Sequence, residues 1–164
     1  MALSVLPLDL VRWDETSRDC LVLTVFKDDR PLRGAAGLAD WRLCGRLSRL
    51  VKTNRASAEA GESMLLPPGR RLKFARILWF GLGESKSYNE DRFMHDVAWI
   101  LDVVKKAGVT DWAVQAPGRA SGLIGARRAV ELMLQHKELD NHPVALLEDP
   151  AGQKDIAELL RTQR

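Results

Sequence analysis

Apolar residues along this chain follow two alternating patterns: short unbroken runs, and stretches in which they recur every three or four positions. The runs Ser4 to Val11, Cys20 to Phe26, Glu62 to Leu66, Ala75 to Phe80, Asp111 to Ala116 and Pro143 to Leu147 read as strands. Cys20 to Phe26, rich in β-branched and aromatic residues, has the character of a central strand. Between the runs lie helical repeats. Leu43, Leu47, Leu50 and Val51 give one apolar side to a helix from about Leu38 to Lys52, entered through Gly34-Ala-Ala-Gly37. Phe93, Val97, Ile100, Leu101 and Val104 do the same for a long helix ending near Ala107, capped by Ser87 with Glu90 or by Asn89. A third helix begins at Ser121 or Gly122 and turns Ile124, Val130, Met133 and Leu134 inward. A last one follows Asp149-Pro150, a cap with proline at the first helical position, and buries Ile156, Leu159 and Leu160.

The predicted order, β-β-α-β-β-α-β-α-β-α, implies an α/β fold: a three-layer α/β/α sandwich. Its two β-β steps favour a mixed, mostly parallel sheet over an all-parallel one. With 164 residues, 46% of them hydrophobic and 29% charged, the chain is expected to form one domain over residues 1–164. No apolar run approaches the roughly 20 residues of a membrane helix, and no secretory leader is visible, so a cytoplasmic protein without membrane contact is expected. Cys20 and Cys44 both lie in apolar segments, and two buried free thiols fit that compartment. A net charge of +3 does not by itself imply nucleic acid. Basic residues outnumber acidic ones as far as Leu82, and the balance reverses from Gly83 onward.

Gly81-Leu82-Gly83 is part of a dinucleotide fingerprint, but Lys86 stands where the third glycine belongs, and Asp102 lies inside the following helix. The turn reads either as a tight strand-to-helix connection or, with Ser85, as an anion-holding helix start. Gly34 to Gly37, beside Arg33, carries the same two readings: a phosphate cradle with a counter-charge, or small residues crossing close over the sheet. Arg42, Arg46 and Arg49 fall on one side of the predicted helix as a basic stripe, either a solvated face or a contact surface. His95, His136 and His142 are dispersed and neither cysteine has a ligand spacing, so no metal and no cofactor is expected. Asp28-Asp29 and Glu148-Asp149 are adjacent acids in turns, which do not aim at one point. No nucleophile elbow occurs, and the five tryptophans are scattered as core or interface residues.

Four segments, taken in order and spacing, resemble the N-terminal domain of the leucyl (cytosol) aminopeptidase family. They are Asp19 to Asp28; the helix Leu38 to Val51 with Gly-Arg-Leu-Ser-Arg-Leu; Glu62-Ser-Met-Leu-Leu-Pro-Pro followed by Ala75-Arg-Ile-Leu-Trp-Phe-Gly-Leu-Gly-Glu; and the helix from Asn89. With Ala126 to Lys137, the resemblance covers roughly Asp19 to Lys137. It implies a macro-domain-like fold, in agreement with the patterning. In that family a catalytic half follows, with two divalent metals; its Asn-Thr-Asp-Ala-Glu-Gly-Arg motif occurs nowhere in these residues, so no catalytic residue carries over. The macro-like fold further implies an ADP-ribose site, with Asp19 toward adenine and the two glycine segments toward phosphates. Lys27-Asp28-Asp29 replaces the asparagines usual after that strand.

The expected function is therefore non-catalytic, through a protein partner or self-association. A nucleotide- or ADP-ribose-binding module is the alternative. Nucleic-acid binding through the basic stripe ranks last.

Overall fold

The structure, a computed structural model, describes residues 3–163. Six strands form one sheet in the order β1-β6-β5-β2-β4-β3: β1 Leu3–Pro7, β2 Arg18–Val25, β3 Ser63–Leu66, β4 Phe74–Gly81, β5 Trp112–Val114 and β6 Val144–Glu148. All pairings are parallel except that of β3 with β4. β2 lies between β4 and β5 in a register that sets Cys20 opposite both Arg76 and Trp112. The expected mixed α/β/α sandwich is the observed fold.

Alternation along the strands sends side chains to two separate cores. Cys20, Val22, Leu78, Phe80, Val114 and Leu146 meet three helices on one face: α4 Glu90–Lys106, α5 Ala126–Met133 and α6 Pro150–Thr162. Leu21, Leu23, Ile77, Trp79, Ala113 and Leu147 meet α1 Leu10–Trp13, α2 Gly34–Arg42 and α3 Arg46–Lys52 on the other. Each fully buried aliphatic side chain contributes about 1.5–3 kcal/mol, so the period-two pattern is what pins the register. The buried side of α4 is the predicted set with Asp96 added, and Asn89 is its cap, with Oδ1 accepting from Arg92 N at 2.9 Å.

Five expectations need correction. The helix Leu38 to Lys52 is two helices. Cys44 (φ 56°) and Gly45 (φ 81°) turn left-handed between them, and the Asp40 carboxylate restarts α3 by accepting from Leu47 N (2.8 Å) and Ser48 N (3.0 Å). Gly34 to Gly37 is not an entry but the first turn of α2. Strand Ser4 to Val11 stops at Pro7, where Asp9 caps the short α1 by accepting from Val11 N. The helix expected from Ser121 starts at Ala126, after a turn-rich segment. The break also exposes Cys44, so one thiol is buried, not two.

Candidate functional site

The chain leaves β5 for β6 on one side and leaves β2 for β3 and then β4 on the other. The carboxyl ends of β2 and β5 therefore flank the switch point of the sheet, where ligand crevices form in open α/β folds. What occupies that crevice is the protein itself. Gln115, 8% exposed just beyond β5, turns its Oε1 onto the N–H of Ala35 in the first turn of α2, at 2.9 Å. Gly34 has φ 56°, and a Cβ there would collide with that Oε1 and lie 2.8 Å from the Ala120 Cβ. So the glycine that could admit a phosphate admits a carboxamide instead. The space left is about 10 Å³, the room of one water molecule. Asp29 lines it; burial pushes its carboxyl up, while its Oδ2 accepts from Phe26 N at 3.1 Å. Arg33 approaches Asp29 at 3.8 Å from an exposed position, and Gly37 packs against the Leu32 carbonyl.

The Gly81-Leu82-Gly83 turn is closed as well. The amides of Gly81, Leu82 and Gly83 donate to the carbonyls of Glu62 (2.7 Å), Val25 (2.9 Å) and Ala58 (2.9 Å). Ser85 N donates to Asp28 Oδ1 at 2.9 Å and its hydroxyl to Oδ2; the hydroxyl, then the amide, hold the Asp28 carboxyl below its ordinary value. A Cβ at Gly81 would strike the backbone of Ala58 and Glu59. That 57–61 segment is pinned by Glu62, whose carboxylate accepts from the amides of Ser57 and Ala58 and from Trp79 Nε1. These glycines are small because another stretch of backbone lies on them.

Asp19 is not part of this end. It is the second residue of β2, at the amino edge of the sheet, where Arg76 grips it with Nε at 3.1 Å and Nη2 at 2.9 Å, and Thr110 N donates at 2.8 Å. The Arg76 guanidinium holds its carboxyl below the usual range. Asp19 and the two glycine segments therefore do not form one site. Arg42, Arg46 and Arg49 do not share one helix either, because the break at Cys44-Gly45 separates the first from the others.

Four residues at the carboxyl end escaped the sequence reading: Glu148, Arg119, Gln115 and Asp9. Glu148, read as a turn acid, is the buried last residue of β6, gripped by Arg119 through Nε (2.7 Å) and Nη2 (2.6 Å). Its neighbour Asp149 caps α6 as the sequence predicts, accepting from Gly152 N at 2.7 Å. Gln115 is the third; a polar residue breaking the apolar run from Trp112 was its one signal. Asp9 is the fourth. With Leu10, Leu38 and Pro150 it lines an open groove of about 490 Å³ beside the ends of β1 and β6. Among the described residues, no group of three or more His, Cys, Asp or Glu is placed to hold a metal ion, and no helix is long and apolar enough to cross a membrane.

The model of the cytosol aminopeptidase family, N-terminal domain, matches residues 22–138. The chain belongs to that family. The probable cytosol aminopeptidase of Ralstonia nicotianae (strain ATCC BAA-1114 / GMI1000) is 30% identical over 131 residues, 76% of this chain and 26% of the relative. That of Buchnera aphidicola subsp. Baizongia pistaciae is 31% identical over 91 residues, 56% of this chain and 18% of the relative. This aminopeptidase N-terminal domain thus spans about a quarter or less of the curated relatives it matches. Among solved structures, the macrodomain of Thermus aquaticus DarG superposes with a TM-score of 0.65 at 15% identity, covering 89% of this chain and 97% of that one. A tomato leucine aminopeptidase mutant gives 0.58 at 14%, over 96% and 35%. The Oceanobacillus iheyensis macrodomain with ADP gives 0.61 at 13%, over 87% and 83%. At these identities the likeness is one of fold.

Proposed function

We propose that this aminopeptidase N-terminal domain is a non-catalytic module that works through protein contacts, self-association included. The observation that carries the reading is Gln115: the crevice at the switch point is filled by the chain's own carboxamide, bonded to Ala35 N, and the amides of the neighbouring glycine turn are paired within the protein. A closed crevice leaves surface as the means of recognition. The matched family model is that of the N-terminal domain, and the metal-binding motif of the catalytic half is absent from these 164 residues. The proposal includes a cytoplasmic location, which the relatives' name, probable cytosol aminopeptidase, supports. Light scattering on the eluting protein, with chemical cross-linking in its native extract, tests it. Self-association, or a cross-linked partner recovered at fixed stoichiometry, supports the proposal; a monomer at every concentration with no cross-linked partner refutes it.

A nucleotide-binding reading draws on the open groove beside Asp9 and on macrodomain neighbours described with ADP and with ADPR. Calorimetry with ADP and ADP-ribose separates the two readings: heat saturating below millimolar ligand would favour the nucleotide, and a flat trace the protein contact.

A further inference from the structure

The turn that splits α2 from α3 brings a second stretch of chain alongside them. Arg42 Nη1 donates to the Arg71 carbonyl at 3.2 Å, and Arg46 Nη2 donates to the Pro67 carbonyl. These two contacts hold the segment from Pro67 to Arg71 against the helix ends, with Arg70 and Arg71 exposed. On the helices themselves stand exposed Arg49 and, at the end of α2, Trp41, which is 75% exposed. The other tryptophans behave differently: Trp13, Trp79 and Trp112 are fully buried and Trp99 packs on the core. The local acids are committed. Asp14 pairs with Arg42 at 2.8 Å, and Asp40 caps α3. Among the described residues, Arg46, Arg49, Arg70 and Arg71 have no carboxylate partner.

Resting on the protein-contact reading, we propose that this face docks an acidic segment of a partner protein that sets an apolar side chain against Trp41. Guanidinium groups take carboxylates through paired N–H donors, which lysines do not. Trp and Arg are the residues that dominate protein interfaces, and an exposed indole on the helix that also carries Arg42, with Arg49, Arg70 and Arg71 exposed on the segments held beside it, has that composition. A nucleic acid fits less well. Binding along a phosphate backbone draws on an extended basic surface, whereas from Gly83 onward acids outnumber bases and the net charge is only +3.

The test uses the full chain and a fluorescein-labelled peptide of Glu and Asp residues carrying one central Phe. Anisotropy should rise and saturate. Trp41→Ser and the pair Arg70→Glu with Arg71→Glu should each weaken binding about tenfold or more, with melting temperatures unchanged because these side chains are exposed. Replacing the peptide's Phe with Ser should weaken parent binding and leave Trp41→Ser unaffected. Absence of saturable binding, equal binding by the variants, or tighter binding of a random DNA duplex at the same salt would each overturn the proposal. The variants also separate this assignment from the reading beneath it. If they keep the self-association or cross-linked partner of the parent, the face is wrong and the protein-contact function stands; if the parent itself shows neither, both fall.

Discussion

Replacing Gln115 with alanine should destabilise the domain by an amount set by one buried amide. The Oε1 acceptor on Ala35 N is lost, and that N–H, buried in the first turn of α2, has no other protein acceptor in the hydrogen-bond pattern. An orphaned buried donor costs about 1–3 kcal/mol. The present void of about 10 Å³ grows by the volume of the carboxamide, enough for water to reach the amide and recover part of that loss. We therefore expect about 1–2 kcal/mol, which for a domain of this size lowers the melting temperature by about 2–8 °C. Gly34→Ala attacks the same contact from the other side. Its left-handed φ alone costs a non-glycine residue about 1–2 kcal/mol, and the new methyl must also displace Gln115. With Gln115 already removed, that second part disappears, so the double variant should lose less than the sum of the singles. Urea titrations of the four proteins measure this directly. Additive losses, or a Gln115→Ala midpoint equal to the parent's, would show that the carboxamide does not close the crevice.

Arg119→Met should be more damaging, about 3–5 kcal/mol by urea denaturation, because it leaves the buried Glu148 carboxylate without its partner; adding Glu148→Leu should restore much of the loss. The Asp19–Arg76 pair predicts a pH effect. Since Arg76 holds the Asp19 carboxyl below its unfolded value of about 3.9, the stabilisation is complete above that value and lost as pH falls through the lower folded one. Arg76→Ala should accordingly flatten the acid limb of stability against pH, read from urea midpoints. A thiol reagent should label Cys44 in the native protein and Cys20 only after unfolding, since burial pushes the Cys20 thiol up to about 12.

The sheet and its main helices were legible because their apolar sides repeat without interruption: apart from Asp96, the buried residues of α4 are the ones the periodicity selects, and α6 buries Ile156 and Leu159 with Leu160 half-buried beside them. The same signal concealed the break after Arg42. Leu43, Leu47, Leu50 and Val51 all pack on one core whether the helix is continuous or not, so the spacing runs through the turn. Gly45 and the Asp40 that restarts α3 were the local signs of it, and both also suit an uninterrupted surface helix. At the site the limits were different. Gly81 and Gly83 were visible as a turn, but what lies on Gly81 is a backbone segment some 20 residues earlier, pinned by Glu62. Gln115 meets Ala35 from 80 positions away. Pairings of that range leave no periodicity to read. Asp19 went astray for a simpler reason: second in its parallel strand, it had to fall at the amino edge, away from every loop at the carboxyl end.

Energetics explain why recognition should lie on the flank and not at the end of the sheet. The loops at the carboxyl end consume one another's polar groups: Asp28 holds Ser85, Lys27 N donates to Gly83 O, Arg92 Nη2 donates to Leu82 O, Gln115 meets Ala35, and Arg119 grips Glu148. A ligand entering there must break several of these bonds, each contributing about 0.5–1.5 kcal/mol net, and must match every buried group it orphans. At the Trp41 face the balance is reversed. Arg42 and Arg46 lean on carbonyls, Arg49, Arg70 and Arg71 stand in water, and the indole is already bare. A partner arriving there displaces solvent alone, so each carboxylate it brings adds contacts without removing any the fold depends on.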